Sequence, residues 1–159
     1  MISRVKINLL LVAVAGLLGV LVWLSQPSPL PPLTRLDPQQ IEHISINDLQ
    51  GREIDLIRVE KQWMSGNQPA DQARITQLLK ICQTQSLQRF AAPADLAPYG
   101  LAPAPIVMRL DDSTLSFGNN DPVNGWRYVH YQGEVHLIGD GFYHHLTAPA
   151  AEWLEEKAD

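Results

Sequence analysis

Hydrophobic positions change their period along this chain, and each period predicts a different element. Near the N-terminus there is no period at all: residues 9–24 carry no charge, and with Ile7 and Asn8 they form an 18-residue stretch, about 27 Å of helix at 1.5 Å per residue. That length nearly matches the hydrocarbon core of a bilayer and predicts a transmembrane helix over 7–24. Residues 25–38 then contain five prolines. They cannot continue a helix, so 25–40 is expected to be a proline-rich, semi-extended spacer.

Alternation sets in at Ile41. Ile41, Ile44 and Ile46, followed by Ile54, Leu56 and Arg58, flank Asp48-Leu49-Gln50-Gly51 and predict a β-hairpin with one buried face. Trp63 adds a large apolar anchor. The period next becomes helical: Ile75, Leu78, Leu79 and Cys82 fall at i, i+3, i+4 and i+7 within a helix expected from Ala70 to Leu87, with Asp71 placed to cap its first turn. From Ala91 to Pro105 the chain is rich in proline and alanine, and Asp95–Leu101 predicts a short helical turn stopped by Gly100. Strand signals then dominate over residues 106–110, 114–117, 127–131 and 134–138, with turns at Asp111-Asp112-Ser113 and Gln132-Gly133. A final helix is expected after Thr147, carrying Trp153 and Leu154. The fold class is therefore α+β: an N-terminal transmembrane helix, then a domain over 41–159 in which antiparallel hairpins pack with one main helix and a C-terminal helix.

Charge orients this arrangement. Arg4 and Lys6 precede the apolar stretch and the next cation is Arg35, so the positive-inside bias puts residues 1–6 in the cytoplasm. The domain is then expected on the outer, periplasmic face of the cytoplasmic membrane, held by a single pass through the lipid. A cleaved signal peptide would have a shorter apolar region, and the small-x-small site Ala13-Val14-Ala15 lies inside the apolar run. The net charge of −5 becomes −7 without Arg4 and Lys6, which argues against nucleic acid as a partner. The one cysteine, Cys82, cannot form an internal disulfide, and its place on the apolar stripe predicts a packed core thiol.

Trp63, the Pro69-Ala70-Asp71 opening of a helix with Leu78-Leu79, the segment Asp95-Leu96-Ala97-Pro98-Tyr99-Gly100-Leu101, Pro105, Phe117-Gly118 and Arg127-Tyr128-Val129 together resemble the DUF4340 family, a domain of unknown function. The resemblance spans roughly residues 41–140, and the segment ending in Tyr99-Gly100-Leu101 is its most specific part. It implies a membrane-anchored extracytoplasmic domain, since some members are similar to auxiliary components of ABC-type systems associated with gliding motility. It implies an accessory role and carries over no catalytic residues and no cofactor.

The candidate chemistry is sparse. Four of the five histidines lie in the last third, at 130, 136, 144 and 145. With a two-residue loop at Gln132-Gly133, Val129 pairs with His136, and His130 and His136 face opposite sides. With a three-residue loop, Tyr128, His130, Glu134 and His136 share one face while Val129, Val135 and Leu137 share the other. The second register sorts polarity better and makes His130, Glu134 and His136 the candidate metal ligands, against the simpler reading of a solvated polar strip. Asn119–Gly125 is rich in side-chain oxygens but lacks calcium-loop spacing, which favours a long turn. The serines at 45, 65, 86, 113 and 116 lie outside any nucleophile-elbow motif. The leading expectation is a non-enzymatic accessory domain that contacts another envelope protein; the alternative is a small-ligand or metal-binding sensor.

Overall fold

The computed structural model describes residues 4–24 and 30–155. Helix α1 spans Arg4–Leu24. Its side chains are described at Asn8 and over Leu11–Leu24, about 21 Å of helix, and among the described residues no helix is long and apolar enough to cross a membrane. The side chains of Ile7, Leu9 and Leu10, which belong to the expected transmembrane stretch, lie outside that description, as do residues 1–3 and 25–29 of the expected cytoplasmic end and spacer.

The strands are β1 (His43–Asp48), β2 (Glu53–Val59), β3 (Gln62–Ser65), β4 (Gln68–Pro69), β5 (Gln88–Ala91), β6 (Ile106–Leu110), β7 (Ser113–Asn120), β8 (Arg127–Tyr131) and β9 (Glu134–Ile138). They form one antiparallel sheet in the order β4-β3-β2-β1-β6-β7-β8-β9-β5. Directly opposed residues share a face, and the registers set Ile44 against Leu56 and Leu110, Ile46 against Ile54 and Met108, and Met108 against Leu115. Phe117 opposes both Ile106 and Val129. This row is the inner face of the sheet, and its members are buried together with Trp63, Leu146 and Trp153.

Helix α2 (Gln72–Leu79) presents Ile75, Leu78 and Leu79 to the same core. Asp71 caps it, its side chain accepting from the Arg74 amide at 2.9 Å. The helix is shorter than expected. At Lys80 the coil tightens into a 3₁₀ turn over Lys80–Gln83, so that Ile81 and Cys82 are both buried, and Thr84 leaves in an extended conformation to meet the N-terminal segment.

That segment corrects the expected spacer. Leu33 and Thr34 are buried, the Leu33 amide donates to Thr84 O at 2.7 Å, and the Ser86 amide donates to Pro31 O at 2.9 Å. Proline lacks a donor but keeps its carbonyl, so a proline-rich strip can still lie along an edge as acceptor. The domain therefore takes in the chain well before Ile41.

The C-terminal part also differs from expectation. Instead of a helix after Thr147, the chain makes a 3₁₀ turn at Asp140–Phe142, the short helix α3 (Tyr143–Leu146) and a second 3₁₀ turn at Ala150–Trp153. His144 and His145 thus sit on a helical turn, with ring centroids 3.8 Å apart. Leu154 bridges to Ala70, and the Glu155 amide donates to Pro69 O, which covers the outer edge of β4.

Candidate functional site

The β8–β9 hairpin decides where the candidate residues go. Val129 is paired with His136, His130 with Val135, and Tyr131 with Glu134. This is the two-residue loop: Gln132 (φ 47°) and Gly133 (φ 78°) both take positive φ, the turn whose twist matches that of its flanking strands. The favoured three-residue register is therefore wrong, and the strip Tyr128-His130-Glu134-His136 is not on one face. His136 and Glu134 lie on the inner face and His130 on the outer one, so His130 is not a co-ligand of the other two. Among the described residues no group of three His, Cys, Asp or Glu side chains is placed to hold a metal ion.

Polarity could not select the register because this end of the sheet is covered on both sides. Val135 and Leu137 share the outer face with Phe90 and Tyr128. Tyr99, from the turn stopped by Gly100 (φ 67°), packs at 5.5 Å from Phe90 and 5.0 Å from Tyr128. Val135 and Leu137 are buried accordingly. The strand alternates in direction without alternating in polarity.

On the inner face, β5 brings Arg89 opposite His136 and Ala91 opposite Glu134. His136 is 3% exposed. Its Nδ1 lies 2.9 Å from Ser86 Oγ, which in turn donates to the Gln88 carbonyl at 3.2 Å. Its Nε2 lies 3.8 Å from Glu134 Oε2, beyond hydrogen-bonding range, and has no hydrogen-bond partner among the described residues. Arg89 Nη1 stands 3.7 Å from the same Glu134 oxygen. Burial pulls the His136 pKa below the ordinary histidine value, and Arg89 and His130 act in the same direction against the opposing pull of Glu134.

A recess of about 250 Å³ opens at this point, between the sheet and the docked N-terminal segment, lined by His136, Glu134, Arg89, Tyr131, Thr34 and Arg35 among others. Ser86 gives the cluster a superficial likeness to a nucleophile with a base. Yet Ser86 is 3% exposed and does not line the recess, so a substrate there would meet Nε2 and never the hydroxyl. The serine orients the ring. Ser86 lies outside any nucleophile-elbow motif and Arg89 carries no motif at all; only the placement of β5 beside β9 joins them to His136.

The other candidates are structural. Asp121 closes the Asn119–Gly125 loop by accepting from the Asn124 amide at 2.7 Å and side chain at 3.1 Å, a long turn as expected. Cys82 is buried, and burial pushes its thiol pKa up to about 11. Asp48 is held below the usual carboxylate range by Arg52, whose Nε donates to it at 2.8 Å.

These features define a single-sheet α+β domain with a histidine-centred polar recess at one end. The family model described as "Domain of unknown function (DUF4340)" matches residues 64–158, and the chain belongs to that family. The match starts later and ends later than the resemblance expected, leaving out the β1–β2 hairpin although β1 is paired to β6 within the same sheet. No curated protein and no solved structure matches the chain.

Proposed function

We propose that this chain is a membrane-anchored accessory domain, tethered by its N-terminal helix to the cytoplasmic membrane and contacting another envelope protein on the outer side. The observation that carries this reading is the surface of α1. Leu11, Val12, Leu17, Val22, Trp23 and Leu24 are 55% or more exposed, from 61% at Leu11 to 72% at Val12 and 71% at Trp23. Over Leu11–Leu24 the helix is apolar all round and is covered by none of the described residues, a surface that calls for an apolar solvent. The cations that precede it and the acidic domain that follows support a cytoplasmic N-terminus.

The role is non-enzymatic. Its support is the buried position of Ser86 and the family membership, which brings no catalytic residues with it. A contact surface is available on the outer face of β2, where Ile57 and Val59 stand 49% and 52% exposed, two residues apart on one side of the strand.

The test has two arms. Protease added outside spheroplasts should remove the domain from intact membranes, and crosslinking followed by gentle solubilisation of the full-length chain should recover one specific envelope protein. A domain protected until the membrane is broken would overturn the orientation. Recovery of monomer alone across several detergents would overturn the accessory role.

A further inference from the structure

The recess beside His136 brings unsatisfied acceptors and guanidinium groups together. A hydroxyl has one proton; with that of Ser86 given to the Gln88 carbonyl at 3.2 Å, Oγ must accept from His136 Nδ1 at 2.9 Å. The ring is then the Nδ1–H tautomer, and Nε2 presents a lone pair. The ring is nine-tenths buried and more, its Nε2 has no partner among the described residues, and the Glu134 carboxylate, itself an acceptor, lies 3.8 Å from it. Two acceptors that close to each other are complementary to an N–H-rich cation: a nitrogen can sit within about 3 Å of both.

The same recess also carries cations. Arg35 and Arg89 line the same recess, Arg35 makes no ion pair among the described residues, and Arg89 has only the long 3.7 Å contact to Glu134. Two guanidinium groups in an otherwise acidic domain are complementary to a carboxylate. They also disfavour a bare metal ion, for which His136 and Glu134 would be the two protein ligands, with no third acid, cysteine or histidine among the described residues.

We infer that the recess binds a small zwitterion of the amino-acid class, its ammonium group between His136 Nε2 and Glu134 and its carboxylate on Arg35 and Arg89. A volume of about 250 Å³ admits a molecule of that size. This site is independent of the protein contact proposed above, since it lies on the inner face of the sheet and Ile57 and Val59 lie on the outer one.

The experiment uses the full-length chain with ¹⁵N-labelled histidine at pH 7.5, titrated with glycine, and with acetate and methylammonium as the two halves of the probe. The expected result is a resting His136 with protonated Nδ1 and bare Nε2. Its Nε2 resonance should shift saturably with glycine, with binding weakened about tenfold or more by E134Q and by either half-probe. Circular dichroism on E134Q separates lost binding from lost folding, and the wild-type titration stands without any variant. The inference is overturned by a resting ring protonated on Nε2, by the absence of a saturable glycine shift, or by stoichiometric binding of added Zn²⁺ at Nε2 in preference to glycine.

Discussion

Arg127 and Asp140 form a two-pronged pair, Nε to Oδ1 at 2.5 Å and Nη2 to Oδ2 at 3.2 Å, that ties the start of β8 to the turn after β9. The same guanidinium donates to the Gly118 carbonyl at 2.5 Å and lies over the Tyr143 ring, 3.4 Å from its centroid. One side chain thus holds β7, β8 and α3 in place, and its charge is nearly out of water. Arg127→Ala leaves Gly118 O without this donor and Asp140 without its cation, and is expected to cost about 3 kcal/mol. Arg127→Lys should recover less than half of that, because an ammonium cannot reproduce the planar fork. Urea unfolding of the two variants beside the parent checks both values.

Gly118 is required for contact. A Cβ built there would stand 2.3 Å from the Tyr99 carbonyl and about 3 Å from the Leu101 side chain, whereas one at Gly139 meets nothing within 4 Å. Gly118→Ala must push away the turn that carries Tyr99, and with it the cover over Val135 and Leu137. It should destabilise by about 2–3 kcal/mol, against a change within about 0.5 kcal/mol for Gly139→Ala. Equal effects on the thermal midpoint would show that the Tyr99 turn does not rest on Gly118.

Acid should weaken the fold in two steps. Burial lowers the folded-state pKa of His136 and, with His144 and Arg74 acting in the same sense, that of His145, both from an ordinary value of 6.5. The unfolded chain therefore takes up protons that the folded chain resists: stability is full above about pH 6.5 and falls as pH drops below it. His136→Gln should flatten that upper slope. For Asp140 burial alone would raise the pKa, but hydrogen bonds from Arg127 and Asn120 outweigh it and the value ends below 3.8. Its contribution is present above that pH and lost only as pH falls through the lowered value, so Asp140→Asn should flatten the lower slope and leave the upper one alone. Chemical unfolding at half-unit pH intervals separates the two.

Cys82 should not react in the folded state. It is fully buried with a thiol pKa near 11, so both access and thiolate are lacking at neutral pH. Iodoacetamide at pH 8 is expected to leave the native chain unmodified and to label it completely in guanidinium. Rapid labelling of the native chain would contradict the burial of the 3₁₀ turn that follows α2.

Where one physical term dominated, the amino-acid order was sufficient. The alternation of Ile44, Ile46, Ile54 and Leu56 about a turn residue set, the helical stripe as far as Ile75, Leu78 and Leu79, the Asp71 cap and the Gly100 stop each depend on contacts within a few residues, and each is present in the structure. So are the four strands from Ile106 to Ile138. The hairpin register at Gln132-Gly133, the early end of α2 and the docking of Leu33 and Thr34 turn on partners far away along the chain. Polarity alternation can set a register only where one face is wet, and Tyr99 and Phe90 dry the outer face of β9. The recess depends most completely on long-range placement: Ser86 and Arg89 reach His136, and Arg35 reaches the recess, because β5 crosses to the far edge of the sheet and the proline segment lies against the turn that precedes it. No local period encodes a meeting between residues 50 positions apart, since its stability comes from assembling the whole sheet.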